Sequence, residues 1–235
     1  MRQFSDAHLA ALAVLAVAVS LAVWAPRRHP GRWIVYVERA IALAILAAWA
    51  GEYVADVVLG TWSVQYTLPL QLTDAVSLCS IFALCTRRIA FVELSYFWSL
   101  TATLQAVITP DLGQNFPSVF YFTYFTYHIG AITGACLLVL GCGRYPRAGA
   151  VWRVWAATLA WACLAAVGDL VTGGNYMYLS EKPEHNSLLS VFGPWPWYIL
   201  GGIGLAIALL LVVAALARGV RAVADPTLVV GNNRV

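Results

Sequence analysis

Lysine is nearly missing from this chain: Lys182 is the single one among 235 residues. Charge of either sign is scarce. Fourteen basic and 11 acidic residues make up 11% of the chain, against about 25% in a soluble domain. That is too little to coat a water-facing surface, and it excludes an ordinary soluble enzyme and a disordered chain. No basic run is long enough to follow a nucleic-acid backbone, so no nucleic-acid partner is expected. No C-x-x-C, G-x-S-x-G, H-E-x-x-H or phosphate-loop motif occurs. The five cysteines (Cys79, Cys85, Cys136, Cys142 and Cys163) lie in apolar runs or at their ends. They are expected to be small buried hydrophobes rather than disulfide partners or zinc ligands. Neither a metal site nor a cofactor is expected.

What is there is hydrophobic: 61% of the residues, with a mean hydropathy of +0.76. Crossing a bilayer as a helix takes about 20 mostly apolar residues, and seven stretches qualify. They are Ala7–Ala25, Trp33–Ala55, Leu68–Cys85, Ile89–Thr109, Pro117–Leu140, Ala150–Val171 and Trp197–Ala217. Backbone amides cannot stay unpaired in lipid, so each reads as helix. The expected fold is all-α: one polytopic domain over residues 1–224 with seven transmembrane helices, followed by a flexible cytoplasmic tail, Asp225–Val235.

Arginine sets the expected orientation. Alternate connectors carry Arg27, Arg28, Arg32, Arg87, Arg88, Arg144 and Arg147, with Arg218 and Arg221 after the last span. The opposite ends hold only Arg2 and Lys182, against Asp6, Glu52, Asp56, Asp111, Glu181 and Glu184. The positive-inside rule then puts the N-terminus outside and the C-terminus inside. Glu38 beside Arg39, and Glu93 near Arg87 and Arg88, read as neutralising pairs near the inner face. His8, His29 and His185 lie at ends or in loops and read as solvated.

Polar groups within spans are costly and are functional candidates by default. In the expected topology they gather toward the outer leaflet: Gln71, Thr73 and Asp74 on the third span, Gln105 on the fourth, His128 near mid-depth on the fifth, and Asp169 on the sixth, with Asn175 and Tyr176 just beyond. One polar pocket there accounts for the clustering. The long connector 172–196 runs into Gly193-Pro-Trp-Pro-Trp-Tyr198 and reads either as an aromatic belt at headgroup level or as a cap, with Trp195, over that pocket. A hydroxyl nucleophile needs a base oriented by a third group. Thr73, His128 and either Asp74 or Asp169 supply those roles, with Gln71, Gln105 or Asn175 to meet an oxyanion. Each has a duller use as well: the glutamines as interhelical glue, the threonine bonded to its own helix, the aspartates as packing partners.

Several strings carry a resemblance: Leu68-Pro-Leu-Gln-Leu-Thr-Asp74, Glu93-Leu-Ser-Tyr-Phe-Trp98, Leu104-Gln-Ala106 leading to Thr109-Pro-Asp-Leu112, His128, Gly174-Asn-Tyr-Met-Tyr-Leu179 with Lys182-Pro183, and Gly193-Pro-Trp-Pro-Trp-Tyr198. Together, over about residues 50–217, they resemble the bacterial YwaF-like integral membrane family. That family is similar to a eukaryotic branch with ether-phospholipid acyltransferase activity and, more remotely, to androgen-induced intramembrane hydrolases. The resemblance implies a Thr or Cys nucleophile at Thr73 and a histidine at His128. Many bacterial members carry His where this chain has Gln71, and often Cys at position 73. It also implies a multi-pass protein of the bacterial plasma membrane acting on membrane lipids. The expected function is therefore an intramembrane lipid acyl-ester hydrolase or acyltransferase. The rivals are a small-molecule or proton-coupled transporter, using Glu52, Asp56, Asp74, His128 and Asp169 as a relay, and a non-enzymatic subunit that packs a membrane partner against Gly201, Gly202 and Gly204.

Overall fold

A computed structural model describes residues 2–183 and 187–224. Glu184, His185 and the expected tail Asp225–Val235 lie outside the described residues. Those described are helical and contain no strand. The helices are α1 (Asp6–Arg28), α2 (Trp33–Leu59), α3 (Leu72–Thr86), α4 (Ile89–Trp98), α5 (Leu104–Ile108), α6 (Val119–Cys136), α7 (Ala150–Thr172) and α8 (Trp197–Ala224). A π-helical turn, Ser99–Thr103, joins α4 to α5, and another, Leu137–Gly141, extends α6.

Among the described residues, five stretches are long and apolar enough to cross a membrane: α1, α2, Val119–Gly141, α7 and α8. The third and fourth expected spans differ from these. The third begins at Leu72 rather than Leu68 and runs 15 residues, about 22 Å at 1.5 Å per residue, short of a hydrocarbon core of about 30 Å. Pro69 disfavours helix at Leu68. Gln71 is extended, and the Asp74 carboxylate reaches back to its N–H at 2.9 Å, which starts the helix there. The fourth is interrupted by the π turn, where one wider turn breaks the regular ladder.

The α6 helix is the centre of the assembly. In the stretch Val119–Gly141 72% of the apolar window is buried, against 17% in each of the other four. Its small residues let neighbours approach closely. A Cβ on Gly130 would sit 2.8 Å from Ile45 of α2, and one on Gly134 would sit 2.9 Å from Leu84 of α3. Ile45, Ala83, Leu84, Tyr96, Phe97, Leu138 and Val139 close the middle of the bundle with essentially no exposed surface.

At the arginine-rich end the ion pairs differ from the expected ones. Glu38 is buried and pairs with Arg87 at 2.7 Å, while Arg39 donates to the Leu84 carbonyl. Sequence neighbours on a helix point about 100° apart, so Glu38 and Arg39 do not face each other. Glu93 pairs with Arg147 and Arg153, both at 2.9 Å, rather than with Arg87 or Arg88, which ties α4 to the start of α7. His8 is also unlike its expectation. It is fully buried, accepting from the Phe4 N–H at Nδ1 and donating from Nε2 to the Val107 carbonyl at 2.8 Å, so it fastens α1 to the end of α5. Of the thiols, Cys136 is buried, while Cys163 is exposed on α7. Gly201 and Gly202 receive Phe192 and Leu189 of the same chain, so most of that small-residue face is filled internally.

Candidate functional site

The arginine-poor ends of α2, α3 and α6 enclose a part-open cavity of about 90 Å³. Polar side chains dominate its walls. Trp49, Glu52, Tyr53 and Asp56 come from α2, Gln71, Thr73 and Asp74 from the start of α3, Tyr127 from α6, and Tyr66, Thr67 and Leu68 from the connector between α2 and α3. The four α2 residues stand at i, i+3, i+4 and i+7, one face of a helix turned toward α3 and α6.

Asp74 is 8% exposed and carries three donors. Trp49 Nε1 and the Tyr53 hydroxyl each reach Oδ1 at 2.8 Å, and the Gln71 N–H reaches Oδ2 at 2.9 Å. Two of the three come from α2, so the carboxylate clamps α2 to α3 while it caps α3. Asp56 is also engaged, accepting from the Thr61 hydroxyl at 2.7 Å. Glu52 differs from both. The Thr123 and Tyr127 side chains of α6 stand beside its carboxylate, yet Oε2 is buried with no hydrogen-bond partner among the described residues.

A cap formed by the start of the α7–α8 connector roofs this region. Asp169 Oδ1 accepts from the Tyr176 N–H at 2.6 Å, which turns the chain back just after Gly173 stops α7 in the left-handed conformation. Tyr176 is then fully buried. Its hydroxyl donates to the Val64 carbonyl at 2.8 Å and accepts from the Leu68 N–H at 2.9 Å. Burial holds this phenol above its ordinary pKa, which keeps the proton that the double role needs. The Met177 N–H donates to Gln71 Oε1 at 2.8 Å. From α7, the Trp161 indole donates to the Leu70 and Gln71 carbonyls. The α2–α3 connector is thus non-helical backbone supplied with partners by protein, the condition for such backbone at membrane depth.

Met177 and Tyr178 both hold positive φ, +56° and +55°, at a cost of about 1–2 kcal/mol each. Three contacts keep them there: Met177 to Gln71, the Tyr178 hydroxyl to Asp111 at 2.9 Å, and the Tyr198 hydroxyl to the Tyr178 carbonyl at 2.8 Å. Burial first, then the Asp111 carboxylate, pushes the Tyr178 phenol upward, so it remains a donor.

The expected site residues therefore divide. Gln71, Thr73 and Asp74 line the cavity. Asp169 and Tyr176 do not line it; they brace the connector that does, and the second Asp169 oxygen is buried without a partner among the described residues. His128 does not line the cavity. It is 2% exposed and packs behind Tyr127, ring centroids 4.4 Å apart, and against Tyr124 at 4.1 Å. Its Nδ1 bonds to the Tyr124 carbonyl at 2.7 Å. Asn175 braces its own loop through Ser180 and Glu181. Gln105 lies on α5, off the cavity wall, and Trp195 is exposed. Trp49, Tyr53 and Tyr127 were not among the expected site residues. The Trp49-x-x-Glu52-Tyr53-x-x-Asp56 spacing carries the signal for the first two, because it puts polar and aromatic groups on one face of an apolar helix.

No curated protein and no solved structure matches the chain. A family model does. It is that of the TMEM164 family, and it matches residues 3–214, nearly the whole chain and more than the 50–217 over which the motifs above fall. With five apolar helices able to cross a membrane, the chain belongs to the TMEM164 family of membrane proteins.

Proposed function

We propose that this protein is an intramembrane lipid acyl-ester hydrolase or acyltransferase that carries the acyl group on Thr73, with the arginine-poor end of a seven-span bundle facing out of the cell. The observation that carries this reading is the position of Thr73. It stands in the first turn of α3 on the wall of a polar cavity. The first-turn amides of a helix lack intrahelical acceptors, and the helix dipole favours negative charge there. A carbonyl attacked by Thr73 would develop its oxyanion against those donors. The cavity has room for an ester group and a water rather than a whole lipid, so the acyl chains would lie along the outside of the helices in the bilayer.

In the first step the Tyr127 ring, which lines the cavity and stacks on His128, turns aside; the Thr73 hydroxyl then gives its proton to His128 Nε2 and its oxygen bonds to the ester carbonyl carbon. The alcohol leaves with that proton, and acyl-Thr73 remains. His128 suits the role, because Nδ1–H donating to the Tyr124 carbonyl puts the ring's lone pair on Nε2. Water or a lipid hydroxyl then takes the acyl group. The likeness of the motifs to the YwaF-like and acyltransferase families supports the same residues, and Gln71, through Met177, holds the cap over them. The transporter reading gains nothing from the bundle, whose middle is packed apolar side chains. In liposomes, Thr73→Ala, which should melt like the parent, and His128→Ala should each abolish lipid-ester turnover and labelling by a fluorophosphonate. Labelling retained in both variants overturns the pair.

A further inference from the structure

Resting on that reading, we infer that Glu52 is the catalytic base of the second half-reaction: it activates the water or lipid hydroxyl that removes the acyl group from Thr73. A two-step acyl transfer must deprotonate two different hydroxyls. The second belongs to an incoming molecule, and it reaches acyl-Thr73 through the cavity. Three carboxylates line that cavity, and they are not equivalent. Asp74 is saturated by Trp49, Tyr53 and the Gln71 amide. Asp56 is turned to Thr61 near the end of α2. Glu52 keeps an oxygen that is buried and has no partner among the described residues.

An unpartnered buried acceptor is expensive, and a hydroxyl entering the cavity offers the donor it lacks. Thr123 and Tyr127, from the neighbouring helix, stand beside the carboxylate. In the step itself, the acceptor's O–H proton passes to the Glu52 carboxylate. The acceptor oxygen bonds to the acyl carbon, the bond from that carbon to Thr73 Oγ1 breaks, and Oγ1 recovers the proton from Glu52. Glu52 ends as it began, and with water as acceptor the product is the free acid.

The test uses the full-length protein in lipid nanodiscs with p-nitrophenyl octanoate. Nitrophenol release, intact mass and peptide mapping are followed together for the parent, Glu52→Gln and Glu52→Asp. Glu52→Gln should release about one equivalent of nitrophenol at close to the parental rate and then stall. Its turnover should fall about 100-fold or more, with an octanoyl group accumulating on Thr73. Glu52→Asp should recover part of the turnover and shed the adduct. Parental turnover in Glu52→Gln overturns the inference and leaves the Thr73 reading standing. So does an equal loss of the first release and of turnover, the result expected of a merely structural residue. If no variant, the parent included, ever carries an adduct on Thr73 while Thr73→Ala turns over normally, the Thr73 reading itself fails.

Discussion

Tyr176→Phe isolates the bracing of the connector that lines the cavity. The substitution deletes one oxygen and leaves the ring, so the packing of a side chain with no exposed surface is preserved. That oxygen serves two backbone groups, the Val64 carbonyl at 2.8 Å and the Leu68 N–H at 2.9 Å. Both lie on the connector that covers the start of α3. Each buried group left unpaired costs about 1–3 kcal/mol, and partial rehydration of the connector recovers some of it, so the expected loss is about 2–4 kcal/mol. The loss should be local. At 1.4 kcal/mol per tenfold change, amide exchange across residues 61–70 should speed up by about 30-fold or more, with the Leu68 amide most affected. Exchange in the second half of α8, whose Val213 carbonyl meets Tyr96 of α4 rather than the connector, should hardly change. Hydrogen exchange followed by mass spectrometry in nanodiscs reads both regions in one experiment. Unchanged exchange across 61–70 would refute the pinning of the connector by Tyr176.

Other substitutions separate the remaining contacts. Asp74→Ala strands the Trp49 indole, the Tyr53 hydroxyl and the Gln71 amide together and should cost about 3–5 kcal/mol in denaturant titration. Asp74→Asn keeps an acceptor and should cost clearly less. His8→Phe leaves the Phe4 amide and the Val107 carbonyl unpaired, about 1–3 kcal/mol, and limited proteolysis should then nick the N-terminal segment. Gly130→Leu places a side chain where a Cβ alone stands 2.8 Å from Ile45. It should lower the melting temperature sharply, and Ile45→Ala added to it should restore part of the loss.

The helical class and five of the seven expected apolar spans were legible in the sequence, because lipid leaves the backbone few choices. The start of α3 was less so. Hydropathy runs unbroken from Leu68, and only Pro69 and the cap made by Asp74 show where the helix begins. The ion pairs were misassigned because nearness along the chain is not nearness in space: Glu38 meets Arg87, 49 residues away, rather than Arg39 beside it. His8 looked terminal and solvated, yet its ring joins two helices through a carbonyl 99 residues away. At the site, Thr73 and Asp74 stood out as polar groups in an apolar run. The face of α2 that completes the cavity is written in a spacing of three and four residues and becomes visible once a helix is assumed there. The roles of Asp169 and Tyr176 depend on a reversal of the chain with positive φ at Met177 and Tyr178, which no propensity favours.

Acyl transfer through Thr73 requires that this threonine be exposed in a cavity that opens to the outside of the cell. Thr73→Cys, in a background where the five native cysteines are replaced by alanine, can be treated with a membrane-impermeant maleimide in right-side-out and in inverted vesicles. The account predicts labelling of Cys at this position from the outside only, slowed by short-chain esters. Labelling from the inside only, or none from either side in folded protein, would contradict it.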